Sequence, residues 1–231
     1  MVGEEARVTT ALPRPGPVAM VGASSVPGVL RTWVPRVAAA EIAGFGIPAA
    51  AGTLAWMADL GPAPFLVVMV CAGIGEGALL GAGQAAALRR IMPGVDGRRW
   101  VVATALAAGF AWCLGMLPGT LGDFGAPSWV SIAGWVVGGP LILASIPLPQ
   151  AVLLGRVVPA ARWRWAWITA GAWAAALPIS FLPGPFVDEA TPAAVLFAGF
   201  VLAGAAMALV MALVTGWGLR RLLRETAFAA P

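Results

Sequence analysis

The chain has 231 residues, 60% of them hydrophobic and only 10% charged, with a formal net charge of +4. Soluble domains devote about a quarter of their residues to charge, so this composition cannot clothe a water-facing surface; its long apolar runs have the length of membrane spans. The chain has no His, Tyr, Lys or Asn, which removes the side chains of most hydrolytic, metal-dependent and nucleotide-driven sites.

Residues 1–33 are rich in Pro, Gly and Ser and carry Glu4, Glu5, Arg7 and Arg14. They contain no apolar core like that of a signal peptide and read as a disordered cytoplasmic arm. Six spans follow at about 36–58, 63–88, 99–118, 129–154, 164–183 and 192–219, each long enough for a hydrocarbon core of ~30 Å. Together they make a membrane domain over 34–224, with 225–231 as a cytoplasmic tail.

Charge sets the orientation. Arg7, Arg14, Arg31 and Arg36 precede the first span, and Arg89, Arg90, Arg98 and Arg99 join the second to the third. Arg156, Arg162 and Arg164 join the fourth to the fifth, and Arg220, Arg221 and Arg224 close the sixth. Every basic residue thus lies on one side, which the positive-inside rule makes cytoplasmic. The opposite loops hold Asp59, Asp123, Asp188 and Glu189 and no Arg. The expected location is the cell inner (cytoplasmic) membrane, multi-pass, with both termini cytoplasmic. Arginines placed in this way at span ends are topology signals, so no nucleic-acid partner is expected.

The spacings reveal an internal repeat. Gln84 lies six residues before Arg90, Gln150 six before Arg156, and Thr215 six before Arg221; the steps between them are 66 and 65. Asp59, Asp123 and Asp188 step by 64 and 65, and Arg99-Trp100 recurs 65 residues later as Arg164-Trp165. The predicted fold is all-α and membrane-integral: six transmembrane helices as three tandem, parallel two-helix hairpin repeats in a pseudo-threefold bundle, at about 34–90, 97–156 and 162–221.

In the odd spans, Arg36 is followed five residues later by Glu41, Arg99 by Thr104 and Arg164 by Thr169. Each span therefore places one polar residue (Glu41, Gln84, Thr104, Gln150, Thr169 or Thr215) roughly 8 Å inside an Arg. These residues predict a belt near the cytoplasmic face. Two readings stay open: interhelical hydrogen bonds that hold the bundle together, or a vestibule for a solute or ion. Glu41, nearer the interface than Glu76, is expected to snorkel toward Arg36 or Arg31.

Glu76 lies outside that belt. It stands 13 residues before Arg89, or ~20 Å deeper, and the repeat puts Ile142 and Met207 at the equivalent positions. No Arg lies within a span, and a bare carboxylate at the bilayer centre costs at least ~3 kcal/mol. It must be protonated, face a wet cavity or bind a cation. Trp112 is expected at about the same depth. Gly81 and Gly83 correspond to Pro147 and Pro149 under the 66-residue shift, which suggests either paired helix interruptions lining a cavity or close small-residue packing at Gly77/Gly81 and Gly134/Gly138. Trp33, Trp100, Trp163, Trp165 and Trp217 read as one interfacial belt, with Trp56 and Trp129 in the other. Cys71 and Cys113 read as free thiols inside spans, with a bridge between them left open.

The motif Gly77-Ala78-x-x-Gly81-x-x-Gln84, followed by Leu88-Arg89-Arg90 and Arg99-Trp100, resembles a widespread group of uncharacterised bacterial multi-span membrane proteins. The likeness covers about 70–220 and implies the repeated hairpin unit without an activity. The expected function is that of a small-solute or proton-coupled transporter-like protein or an accessory membrane subunit, with Glu76 as the titrating group. An intramembrane enzyme acting on an isoprenoid or lipid, with Glu76 as acid and Trp112 as cation stabiliser, is the alternative. A structural or assembly protein without a site of its own is the third. No cofactor and no metal are expected. The expected partners are the lipid bilayer, a small solute, proton or lipid, and another membrane protein.

Overall fold

The computed structural model describes residues 28–188 and 190–228. Most of the expected arm, with Glu4, Glu5, Arg7 and Arg14, lies outside the described residues, as do Glu189 and the last three residues. Seven α-helices make up most of the described residues: α1 (Val29–Met57), α2 (Pro62–Ile91), α3 (Gly97–Asp123), α4 (Ser128–Ser145), α5 (Pro147–Gly155), α6 (Arg162–Ser180) and α7 (Ala193–Phe228). There are no strands among the described residues. Six crossings are long and apolar enough to span a membrane, the fourth being α4 and α5 together. Helix is the form expected in lipid, where each backbone N–H and C=O must find its partner within the segment.

Local chemistry fixes the ends. Pro62 opens α2 and Pro147 opens α5, positions where the missing N–H costs nothing. Asp96 caps α3 by accepting the Arg99 N–H at 3.1 Å, which satisfies one orphan donor of the first turn. The turn from α1 to α2 passes through Asp59 at φ +49°, a left-handed conformation that Asp tolerates better than most side chains.

Three boundaries differ from the sequence reading. Helix α1 starts at Val29, inside the expected disordered arm. Helix α7 continues through Phe228, past the expected start of the tail at 225. Finally, the fourth crossing breaks between Ser145 and Pro147, whereas α2 runs unbroken through Gly81 and Gly83. Paired interruption is therefore corrected to a break in one crossing only. The cause is that Pro147 and Pro149 lack the N–H groups that glycine keeps.

The glycines of α2 serve close packing instead. A Cβ on Gly77 would lie 2.8 Å from the Thr104 carbonyl oxygen and 3.0 Å from the Ala105 Cα, so α2 and α3 touch along their backbones. In the same way Gly134 of α4 lies against Pro118 of α3, whose carbonyl accepts the Ser131 hydroxyl at 2.9 Å. Each crossing packs on its neighbours in the chain, and α7 returns to close on α1. The bundle is thus a ring. Helix α4 sits furthest out, with Gly138 its one buried residue. Most of its large apolar side chains face outward, as lipid-facing ones do, while Leu143 packs on the core.

Candidate functional site

Two polar layers occupy the interior of this ring. The first lies near the Arg-bearing ends of the helices. The Gln150 Nε2 donates to Gln84 Oε1 at 2.7 Å and to Thr104 Oγ1 at 3.0 Å. Gln84 Oε1 also accepts the Trp100 indole N–H at 2.9 Å, and Gln150 Oε1 accepts that of Trp165 at 3.3 Å. The Thr104 hydroxyl donates to the carbonyl of Trp100, one turn earlier. Opposite them, Trp33 donates to Thr215 Oγ1 at 2.9 Å, and the Thr215 hydroxyl donates to the Met211 carbonyl.

The three indoles form the centre of this layer. Trp33 meets Trp165 edge-on, with centroids 5.7 Å apart and planes at 85°, and Trp100 lies 6.1 Å from Trp165. Such T-shaped and tilted pairs are favourable for aromatic quadrupoles. Each of the three donates to a polar side chain on the crossing that precedes it round the ring: α7 for Trp33, α2 for Trp100, α5 for Trp165.

This geometry corrects one expectation. Trp33, Trp100 and Trp165 are no interfacial belt; they are at most 1% exposed. Their indole bodies fill the core, while each N–H finds a buried acceptor. Trp163 and Trp217, by contrast, are exposed, as are Trp56 and Trp129 at the far end. The signal that separates the two sets is spacing: Trp33, Trp100 and Trp165 follow one another at 67 and 65 residues, and Trp163 and Trp217 share no such interval.

The second layer contains the acids. Glu76 is nearly enclosed, and its Oε2 accepts the Trp112 indole N–H at 2.6 Å. Trp112 approaches α2 at Gly73, where any Cβ would collide with the indole. On its other side α2 meets Gly44 of α1, whose Cβ would stand 3.1 Å from the Glu76 carbonyl oxygen and 3.5 Å from its Cγ. Glu41 lies one turn before Gly44 on the same helix.

Glu41 is the largest departure from expectation. It does not snorkel: it has no exposed surface, and neither carboxyl oxygen has a partner. Arg36, its expected counter-ion, instead donates to the Thr32 carbonyl at 2.8 Å. The depth differs as well. Arg36 and Ala40 pack at Gly83, and Gly44 packs at Glu76, so Glu41 lies between the level of Gln84 and that of Glu76. Ion pairs among the described residues are confined to the Arg-bearing end: Arg99 with Asp96, and Arg164 and Arg221 with Glu225. No guanidinium pairs with either buried acid.

Of the eight residues singled out in the sequence, Gln84, Thr104 and Gln150 share one hydrogen-bonded network. Thr215 belongs to the adjacent indole pair, and Glu76 joins Trp112. Thr169 is buried, but its hydroxyl has no partner; the same holds for Gln84 Nε2 and Trp173 Nε1. Cys71 and Cys113 are free. No family model, curated protein or solved structure matches the chain.

Proposed function

We propose that this polytopic membrane protein is transporter-like and moves protons, alone or with a small solute, through Glu41 and Glu76. The observation that carries this reading is the carboxyl pair itself: two acids enclosed by protein on neighbouring crossings, one bonded to an indole and the other to nothing. An unpartnered carboxylate at membrane depth costs at least ~3 kcal/mol. Burying Glu41 without a partner weakens the bundle, so in this reading the two acids serve to exchange protons or cations. Glu76, held by Trp112, is the fixed member, and Glu41 is the member free to find a new partner.

In this reading the chain is three tandem hairpin units around a common axis, with the Arg-bearing end in the cytosol. The 67- and 65-residue steps between Trp33, Trp100 and Trp165 support it, as do the 66- and 65-residue steps between their acceptors Gln84, Gln150 and Thr215. Aligned on the tryptophans, Glu41 falls level with Ala108 and Trp173, one turn deeper than Thr104 and Thr169. The indole cluster then closes the cytosolic end below the acids. The lipid-enzyme reading needs an indole face beneath a carbocation; Trp112 meets Glu76 through its N–H edge, which favours proton handling.

The test is proton flux in proteoliposomes loaded with a pH-sensitive dye, driven by an imposed membrane potential. The wild type is expected to conduct, and Glu76→Gln and Glu41→Gln each to slow the flux tenfold or more. Equal flux through the wild type and the double variant rejects the proposal.

A further inference from the structure

The Arg-bearing face carries a feature that neither the acids nor the belt explains. Between the end of α5 and the start of α6 an open groove of about 470 Å³ is lined by Val152, Gly155, Arg156, Pro159, Arg162 and Trp163. Residues 155–162 contain two arginines and no acid. Among the described residues neither Arg156 nor Arg162 belongs to an ion pair, whereas Asp96 pairs with Arg99 and Glu225 with Arg164 and Arg221.

The groove is also shaped in advance. The stem of Arg162 lies against Gly155, where a Cβ would stand 3.0–3.1 Å from three of its carbons. Its guanidinium rests 4.9 Å from the Trp163 ring centroid. These contacts of stem and ring restrict the head group's position and leave its N–H edges free, which lowers the ordering cost of binding an anion. Two apolar stripes lead from the groove toward the membrane centre. Leu148 and Val152 lie one turn apart on α5, and Trp163 and Trp167 one turn apart on α6; all four are exposed.

We infer that this groove binds an anionic phospholipid, with Arg156 and Arg162 holding the headgroup phosphate and the two stripes receiving its acyl chains. Paired guanidiniums match phosphate oxygens, and basic pockets between transmembrane helices take lipid headgroups. A free phosphate would use the arginines but not the stripes, so the apolar approach favours the lipid.

Native mass spectrometry of the full chain, released from nanodiscs of equal phosphatidylglycerol and phosphatidylcholine, tests this. The wild type is expected to retain phosphatidylglycerol selectively. Arg156→Gln with Arg162→Gln should weaken retention by about fivefold per charge. Arg156→Lys with Arg162→Lys should restore much of it, which excludes misfolding as the cause. Arg89→Gln with Arg98→Gln removes the same charge elsewhere and should retain the lipid as the wild type does. Three outcomes overturn the proposal: equal retention of both lipids, equal loss in the two Gln pairs, or displacement of the bound lipid by millimolar inorganic phosphate.

Discussion

The Trp33 indole N–H donates to Thr215 Oγ1 at 2.9 Å across 182 residues of sequence. It joins the first crossing to the last and closes the ring of helices at its buried centre, with Gly216 of α7 against the same indole. A hydrogen bond between membrane helices contributes about 0.6–1.7 kcal/mol. Thr215→Val, which keeps the shape and deletes the hydroxyl, should lower unfolding stability in detergent by that amount. Combined with Trp33→Phe it should cost clearly less than the sum of the two single changes. Strict additivity would mean the bond contributes nothing.

Gln150 should be the most sensitive member of the belt. It donates to Gln84 and Thr104 and accepts from Trp165, so Gln150→Leu strands a buried indole N–H and removes two bonds. Stranded groups cost about 1–3 kcal/mol. Thr169→Val, whose hydroxyl has no partner, should be neutral or stabilising. Thermal unfolding of the two variants would decide, and a larger loss at Thr169 would contradict the network.

Glycine substitutions should split by position. Gly77→Ala forces a methyl onto the α3 backbone and is expected to cost about 1–3 kcal/mol through overpacking. Gly46→Ala meets nothing within 4 Å and should gain up to ~1 kcal/mol of helix propensity. The same melting assay ranks them; an equal effect would deny that α2 and α3 touch through their backbones.

Glu41→Leu should separate stability from activity. Replacing an unpartnered buried carboxyl by an apolar side chain removes a desolvation cost, so the melting temperature should rise. Proton flux should fall with it, the trade expected where a strained polar group is retained for function. A destabilised variant would show that Glu41 has a structural partner after all.

Orientation is open to labelling. In a background with Cys71 and Cys113 replaced by Ala, single cysteines at 122 and 187 should react with an impermeant reagent added outside the cell. Cysteines at 95 and 160 should not. The reverse pattern would turn the bundle over and place the indole cluster on the outer side.

Much of the fold could be read directly because it rests on one-dimensional quantities. Apolar run length set the six crossings, Arg placement marked one end, and Pro147 with Pro149 marked the fourth crossing as unusual. The candidate site was legible in part: Gln84, Gln150 and Thr104 stood out through their repeat interval, and Glu76 through its depth. The burial of Trp33, Trp100 and Trp165 was marked only by their 67- and 65-residue spacing, because an indole near a span end satisfies an interface and a core equally well. Glu41 was misread for a related reason. Counting its depth from Arg36 placed it too shallow and beside a counter-ion that binds the Thr32 carbonyl instead.

Hydropathy and charge order, summed along the chain, were enough to determine that this protein is helical, has six helical segments long and apolar enough to cross a membrane, and gathers the arginines of its described residues at one end. Only the tertiary structure decided which polar groups meet. A hydrogen bond such as that from Trp33 to Thr215, or that from Trp112 to Glu76, depends on helix rotation and on separations of a few ångströms. Those are set by close contacts at residues such as Gly44 and Gly77, and no sum along the sequence contains them.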